Sequence, residues 1–571
     1  MKELKLDHYY LYNELTDSLK TLASEYDSLS NLLSIGTTVK NRNLWVMEIT
    51  NFNTGPPESK PAIWIDGNTH AGEVMGSMVC LKTIWYLLTN YSKNPFITEM
   101  IDRTTFYILP RIDADGGEFV LTTPYYVLSA DNETGGGRWY PLSEEEWRSS
   151  QHGLYLEDID EDSFIVHMRI SDPLGEWKIS ENDSRIMLRR APEDNEGDFY
   201  RVYPEGLILN YHGEKEIEMA PARWSLNFNR NWPGEWAKEE ISRGSGPYPL
   251  SEPETRAVAD FIVGHINICI AITYHTHGGI LFSYSENNKI PIQDRKLFKI
   301  IESIFQDKTG YPSLSLKQKD PSGSFSTYMT IHRAIPCTTV EIWDLLGEAG
   351  MGNWVERSGN SENRLEERSL KLINWCDREL DGNIFIDWHK FDHPQLGLVE
   401  IGGWKKKFLL RNPPVTFMEA EIDKIMSFPI TLAKLLPKLS IKEASANLIG
   451  KRLYEVSVTI ENKGAFPTYI MKHAVDIGST KPVKVYLELG EGMKMISGNH
   501  LEKFHLEGFL NKILTSSRYE RKNTRDKNKV TFNWIVESRK PGVIKICVES
   551  PKAGRDTITL KLASIVNIIS R

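Results

Sequence analysis

Two hydrophobic rhythms divide this chain, and they constrain its fold more than any single motif. From about residue 10 to 435, short apolar runs alternate with helix-like segments, the pattern of an α/β domain built on a largely parallel sheet. Leu44 to Thr50, Ala62 to Asp66, Phe106 to Leu109 and Ile266 to Tyr274 read as strands, and Val74 to Leu88 as a helix. Ser251-Glu-Pro-Glu254 predicts a capping box with proline in the first turn, opening a helix that runs to about Val263 and stops at Gly264. Residues 120 to 222 break this rhythm; rich in Asp, Glu, Gly and Arg, they read as an inserted lobe of hairpins and loops. After Pro437-Lys-Leu-Ser440 the period falls to two. Tyr454 to Ile460, Lys484 to Leu489, Phe532 to Val536, Val543 to Val548 and Thr557 to Leu562 predict a β-sandwich. The expected architecture is therefore α/β: a mixed, largely parallel central sheet flanked by helices over residues 1–436, then an all-β sandwich over 437–571.

With 571 residues the chain exceeds one ordinary core, so two or three domains are expected. A formal charge of −9 argues against a general nucleic-acid binder, which depends on clustered Lys and Arg. The one basic stretch, Arg518 to Lys529, reads as a solvated loop between strands. Five cysteines (Cys80, Cys269, Cys337, Cys376, Cys547) are scattered, mostly in apolar contexts and without a C-x-x-C pair. Free buried thiols are expected rather than a disulfide framework. The amino terminus lacks the apolar core of a signal peptide, and no run approaches the roughly 20 apolar residues of a membrane span. The expected compartment is the cytoplasm.

Chemistry-bearing residues fall at the ends of the strand-like runs. Ala62 to Asp66 leads into Gly-Asn-Thr-His70-Ala-Gly-Glu73, and Ile266 to Tyr274 leads into His275-Thr-His277. Two imidazoles and a carboxylate occupy three positions around Zn²⁺ and leave the fourth open, the arrangement of a catalytic zinc site. Carboxyl ends of strands are where open α/β sheets carry their ligands. Asn229-Arg230 puts a guanidinium fork beside an amide, suited to bidentate recognition of a carboxylate. Ile335 to Val340 leads into Glu341, a carboxylate placed to take a proton from an activated water and return it to a leaving amine. Each residue alone also has a plain reading. His70 and Glu73 suit a helix cap or surface pair, His275 a core histidine, and Glu341 and Arg230 ordinary ion pairs.

Taken together and in order, His70-x-x-Glu73, Asn229-Arg230, Ser251-Glu-Pro-Glu-Thr255, His275 and Glu341 resemble the metallocarboxypeptidases, the zinc enzymes related to carboxypeptidase A, over roughly residues 8 to 435. The acidic lobe and β-rich tail resemble a bacterial subgroup of that family. The resemblance implies one Zn²⁺ per chain, held by His70, Glu73 and His275, with Glu341 as general base and acid. It also implies that Asn229 and Arg230 grip the free C-terminal carboxylate of a peptide, which makes the activity an exopeptidase one. The family's aromatic hydroxyl falls near Gln318, where there is no tyrosine; either Tyr311 or Tyr328 is the stand-in, or the role is absent. Arg138 is the candidate for the arginine that steadies the oxyanion, and His277 for a group lining the pocket. Phe325, near the expected floor of the side-chain pocket, is not acidic, so strong selectivity for Lys or Arg is not expected. Cell-wall peptides containing D-residues also suit the subgroup.

Two further readings use the same residues. An N-acyl amino acid deacylase related to aspartoacylase has a similar His/Glu/His set and Asn-Arg clamp. A non-catalytic chain would bind a partner through its β-rich tail. The α/β pattern continuing to Glu341, with a long helix ahead of His275, favours the peptidase. Elsewhere, Asp158, Asp160 and Asp162 space their oxygens like the start of a Ca²⁺ loop, but Ser163 and Arg169 stand at the glycine and glutamate positions. A solvated acidic hairpin is expected there.

Overall fold

A computed structural model describes residues 3–127, 144–221, 226–316, 322–357, 365–510 and 527–562. Its centre is an eight-stranded sheet: β1 (Ser30–Thr37), β2 (Asn43–Ile49), β3 (Ala62–Gly67), β4 (Thr105–Leu109), β5 (Ile268–Thr276), β6 (Ile280–Ser283), β7 (Ser313–Ser315) and β8 (Cys337–Ile342), in the spatial order β1-β2-β4-β3-β5-β8-β6-β7. The middle of the sheet, β4 to β3 to β5 to β8, is parallel, and antiparallel pairings join β1, β2 and β6 to it. All residues of β3, β4 and β5 are buried. Their near-continuous apolar sequence follows from that, because a parallel sheet is covered on both faces. Ile63 and Ile65 of β3 enter one apolar cluster, with the helices Met75–Asn90, Ile292–Thr309 and Val415–Ala433. Ala62 and Trp64 enter another, with the helix Pro253–Gly264. The alternation is the two-residue period of a strand.

The helix Pro253–Gly264 has proline at its first position, but no capping box forms. Glu252 is the N-cap, and its side chain does not cap the helix. Ser251 Oγ instead donates to Glu252 Oε1 at 2.7 Å and accepts from Asn231 Nδ2 at 2.8 Å. Buried Asn231 competes successfully for the hydroxyl and ties this helix to the Asn229-Arg230 loop.

The acidic lobe contains a six-stranded sheet in the order Phe385–His393, Gly397–Trp404, His167–Ser171, Phe199–Pro204, Trp177–Ile179, Met187–Arg189. Two of its strands thus come from outside residues 120–222. Glu400 pairs with Arg169 across the join, and Arg169 Nε lies 2.7 Å from Glu400 Oε2. Arg169 is therefore an ion-pair partner within the sheet. Asp158 and Asp160 do converge with buried Glu205, which accepts from Ile159 N at 2.8 Å and Val166 N at 3.0 Å. These bonds organise the hairpin itself.

Beyond residue 438, two four-stranded sheets face each other across one apolar core that includes Val456, Val458 and Ile460 from one and Val485, Ile546 and Val548 from the other. Asp294, in the helix Ile292–Thr309, accepts from Lys472 N at 2.7 Å and His473 N at 2.8 Å and docks this unit onto the α/β part. All five cysteines are free and buried. Among the described residues no helix is long and apolar enough to cross a membrane.

Candidate active site

The ligand residues sit where β3 and β5 end. After Gly67 the chain turns through Asn68, at φ 58°, whose Nδ2 donates to His70 O and Ala71 O at 2.6 and 3.0 Å. A side chain at Gly67 would lie 2.6 Å from the backbone of Gly76, so glycine lets the following helix start against the strand end. Between them the turn holds His70 and Glu73. Register then sets the level of the rest: Tyr274 lies opposite Gly67, and His275 opposite Glu341. Buried Asp66 ties β3 to β5 just beneath, accepting from Trp64 Nε1 and Thr273 Oγ1, both at 2.6 Å.

His70 Nδ1 lies 2.8 Å from Glu73 Oε1, His275 Nδ1 lies 2.9 Å from Glu73 Oε2, and the two Nδ1 atoms are 3.2 Å apart. Asn227 Oδ1 stands 3.1 Å from His70 Nε2 and accepts the N–H there, which leaves Nδ1 as the lone-pair nitrogen. Lone pairs and a carboxylate pointed at one another are reconciled only by a cation or an added proton. Three donors around tetrahedral zinc are spaced by roughly 3.4 Å, close to what is seen, so the set fits Zn²⁺. Although burial opposes it, the charges of His70 and then His275 hold the Glu73 carboxyl well below its usual range.

Glu341 is half-buried one strand away. Burial, then the negative charge of Glu73, raise its carboxyl to about 8. A divalent cation in the ligand set would oppose both effects. Asn229 N donates to Asn227 Oδ1 at 2.8 Å, which anchors the Asn229-Arg230 turn to the residue that orients His70. Arg230 Nη1 donates to Asn229 O at 2.8 Å, and among the described residues no carboxylate pairs with its half-buried guanidinium. Gly323, at φ 68°, closes against the Arg230 backbone, and Phe325 N donates to Asn229 Oδ1 at 3.0 Å while its ring packs on Trp232.

The structure relocates several expectations. Tyr311 donates its hydroxyl to Glu421 Oε1 at 2.7 Å, and that bond takes it out of the stand-in role. Tyr328 stacks on Trp232 in an apolar core, with Arg333 and Asp260 as its charged neighbours, away from the ligand residues. His277 accepts at Nδ1 from Arg411 Nη1 at 3.3 Å; burial, then the Arg411 charge, lower its pKa to about 4, so it is neutral at pH 7. Arg138 and Gln318 lie outside the described residues. Sequence reasoning missed Asn227, Tyr126 and Arg411. The Asn-x-Asn spacing before Arg230 is a signal for the first, while the other two carry none.

The zinc carboxypeptidase family matches residues 15–152 and 210–363, just over half of the chain. This chain belongs to that family. The gap in the match coincides with the strands of the acidic lobe. Residues 438–561 match a domain family of unknown function. Among relatives, the chain is 34% identical to rat (Rattus norvegicus) carboxypeptidase D over 117 residues, 20% of this chain and 8% of the rat protein. It is 38% identical to mouse (Mus musculus) carboxypeptidase M over 126 residues, 21% of this chain and 28% of the mouse protein. The chain thus spans well under a third of either relative. A carboxypeptidase A structure from Helicoverpa armigera aligns over 66% of this chain and 74% of that one, at 15% identity and a TM-score of 0.38.

Proposed function

We propose that the chain is a zinc-dependent exopeptidase that hydrolyses the last peptide bond of a substrate with a free C-terminal carboxylate, with residues 1–436 as the catalytic domain and 437–571 as an appended β-domain. The observation that carries this reading is the pair of unmet needs held together by Asn227: a lone-pair cluster that wants a cation, and an arginine that meets no carboxylate among the described residues. His70, Glu73 and His275 would hold one Zn²⁺. When bound, the ion supplies Lewis-acid activation, polarising the scissile carbonyl and making water acidic near neutral pH. Arg230, with Asn229, fixes the terminal carboxylate and so the register of the bond to be cut. Glu341 takes the proton of the attacking water and passes it to the departing amine nitrogen. Its position opposite His275 in register supports this reading.

The test is mass spectrometry of peptide libraries beside N-acyl amino acids, with free and amidated C-termini compared. Release of a single C-terminal residue, abolished by amidation, is the expected result. Arg230→Ala should lower kcat/KM on free peptides by about 30- to 5,000-fold, from the roughly 2–5 kcal/mol of a lost charge-assisted pair, and add little with amidated ones. Efficient cleavage of amidated peptides would assign the chain to endopeptidases or amidases, and turnover of acyl amino acids alone to deacylases.

A further inference from the structure

Beside the ligand residues lie two donors that, among the described residues, meet no carboxylate. Arg411 comes from the loop between the strand Gly397–Trp404 and the helix Val415–Ala433, past residue 363 where the family match ends. The next residue, Asn412, bolts that loop to the ligand turn. Its buried side chain accepts from Met75 N at 3.1 Å and donates to Gly72 O at 2.7 Å and Lys407 O at 3.1 Å. Arg411 Nη1 reaches His277 Nδ1 at 3.3 Å, its Cζ lies 5.1 Å from the centre of the Tyr126 ring, and its charge acts on Glu341. Among the described residues no carboxylate neutralises it. Tyr126 packs its ring on Gly72, between the two ligands of the turn; a side chain there would meet the ring at 2.1 Å. Its hydroxyl is buried, makes no hydrogen bond among the described residues, and lies close enough to Glu73 and Glu341 to feel both charges. A buried donor left unpaired is costly, and a guanidinium set against a histidine and an aromatic ring has no ion pair to hold it there.

We propose that Arg411 and Tyr126 are catalytic, receiving the scissile carbonyl oxygen as negative charge builds on it. The inference rests on the exopeptidase reading above. Water oxygen bonds to the carbonyl carbon, the water proton passes to Glu341, and the carbonyl π pair moves to the oxygen. That oxygen then stands against the guanidinium N–H groups and the phenol O–H. When the pair returns, the C–N bond breaks and Glu341 delivers its proton to the nitrogen. Donors fixed in place for a developing charge accelerate a reaction because they do not bind the neutral carbonyl as strongly. The acidic lobe thus contributes to catalysis through the loop that leaves its sheet.

The experiment compares the full chain with Arg411→Ala, Arg411→Lys and Tyr126→Phe. Arg411→Ala should lower kcat about 10²- to 10³-fold with KM changed less than about threefold, and Tyr126→Phe should lower kcat about tenfold. Zinc content and melting temperature should stay at wild-type values in both. Arg411→Lys, which keeps the charge and loses the planar fork, should fall between, and added guanidinium should restore part of the Arg411→Ala rate. Calorimetric affinity for a phosphonate peptide analogue, a tetrahedral anion, should fall in step with kcat. Unchanged kcat, a raised KM with kcat intact, or undiminished phosphonate affinity would overturn the assignment. The phosphonate comparison needs no turnover, so a wild-type chain that releases no residue counts against the exopeptidase reading and leaves this one still decided by binding.

Discussion

His275 supplies one Nδ1 to a cluster whose other members stand on the turn at the carboxyl end of the neighbouring parallel strand, so its loss removes a ligand without opening the sheet. His275→Ala should strip the zinc and leave the far-ultraviolet circular dichroism of the folded chain intact; full metal stoichiometry by elemental analysis in that variant would refute the ligand set. Glu341→Gln should keep zinc and lose about 10²- to 10⁴-fold in kcat, because an amide of nearly the same size cannot accept the water's proton. Steady-state kinetics at normal kcat would move the base elsewhere. The convergence of His70, Glu73 and His275, with Glu341 one strand away, was legible in the sequence because each lies at or shortly beyond the end of an apolar run, and strand ends are where ligands collect. Tyr126 and Arg411 were not. Each reaches the site through contacts between segments distant in sequence, one packed against Gly72 and one on a loop from beyond the lobe, and no local pattern records such a route.

Among the elements, the loop that precedes the helix Val415–Ala433 depends on one side chain. Asn412→Ala removes three buried hydrogen bonds and leaves Met75 N, Gly72 O and Lys407 O without them. Its cost should be about 2–4 kcal/mol, since unpaired buried groups cost roughly 1–3 kcal/mol each and relaxation recovers part. Urea denaturation would measure it, and a change under about 0.5 kcal/mol, the scale of an ordinary surface substitution, would show the loop to be held by something else. Strands were the most readable elements: Ala62–Gly67, Thr105–Leu109 and Leu453–Asn462 fall within two residues of their apolar or alternating runs. The capping box at Ser251 was misread because a buried amide distant in sequence outbid the helix for the hydroxyl. The pairing of Gly397–Trp404 with His167–Ser171 was invisible for a related reason: register between distant strands is set by the shared apolar face of Met168 and Ile401, which no window of sequence contains.

At the scale of the whole molecule, the joint between the α/β part and the β-sandwich is titratable. Burial, partly offset by the N–H groups of His473 and Lys472, raises the Asp294 carboxyl from 3.8 to about 6. A carboxyl raised on folding contributes most to stability below its unfolded value, and that contribution is lost as pH climbs through the folded one. Between roughly pH 4 and pH 7 the intact chain should therefore lose on the order of 1–3 kcal/mol relative to Asp294→Asn, because each pH unit separating the folded from the unfolded value is worth about 1.4 kcal/mol. Thermal melts of both proteins across that window would measure it; a pH-independent gap would mean that Asp294 does not titrate at the joint. The two-part sheet of the acidic lobe has a different kind of consequence, one of timing. Its strand His167–Ser171 leaves the ribosome long before its partner Gly397–Trp404 exists, and at about 5–20 residues per second the wait is roughly 12 to 46 s. Throughout that interval the growing polypeptide carries an open strand edge and an unneutralised Arg169, so the yield of the protein in a cell is exposed to chaperone supply and to translation speed between residues 204 and 397. Slowing synthesis over that stretch prolongs the exposure, and excising the lobe as though it were a simple loop transfers the same bare edge permanently to Gly397–Trp404.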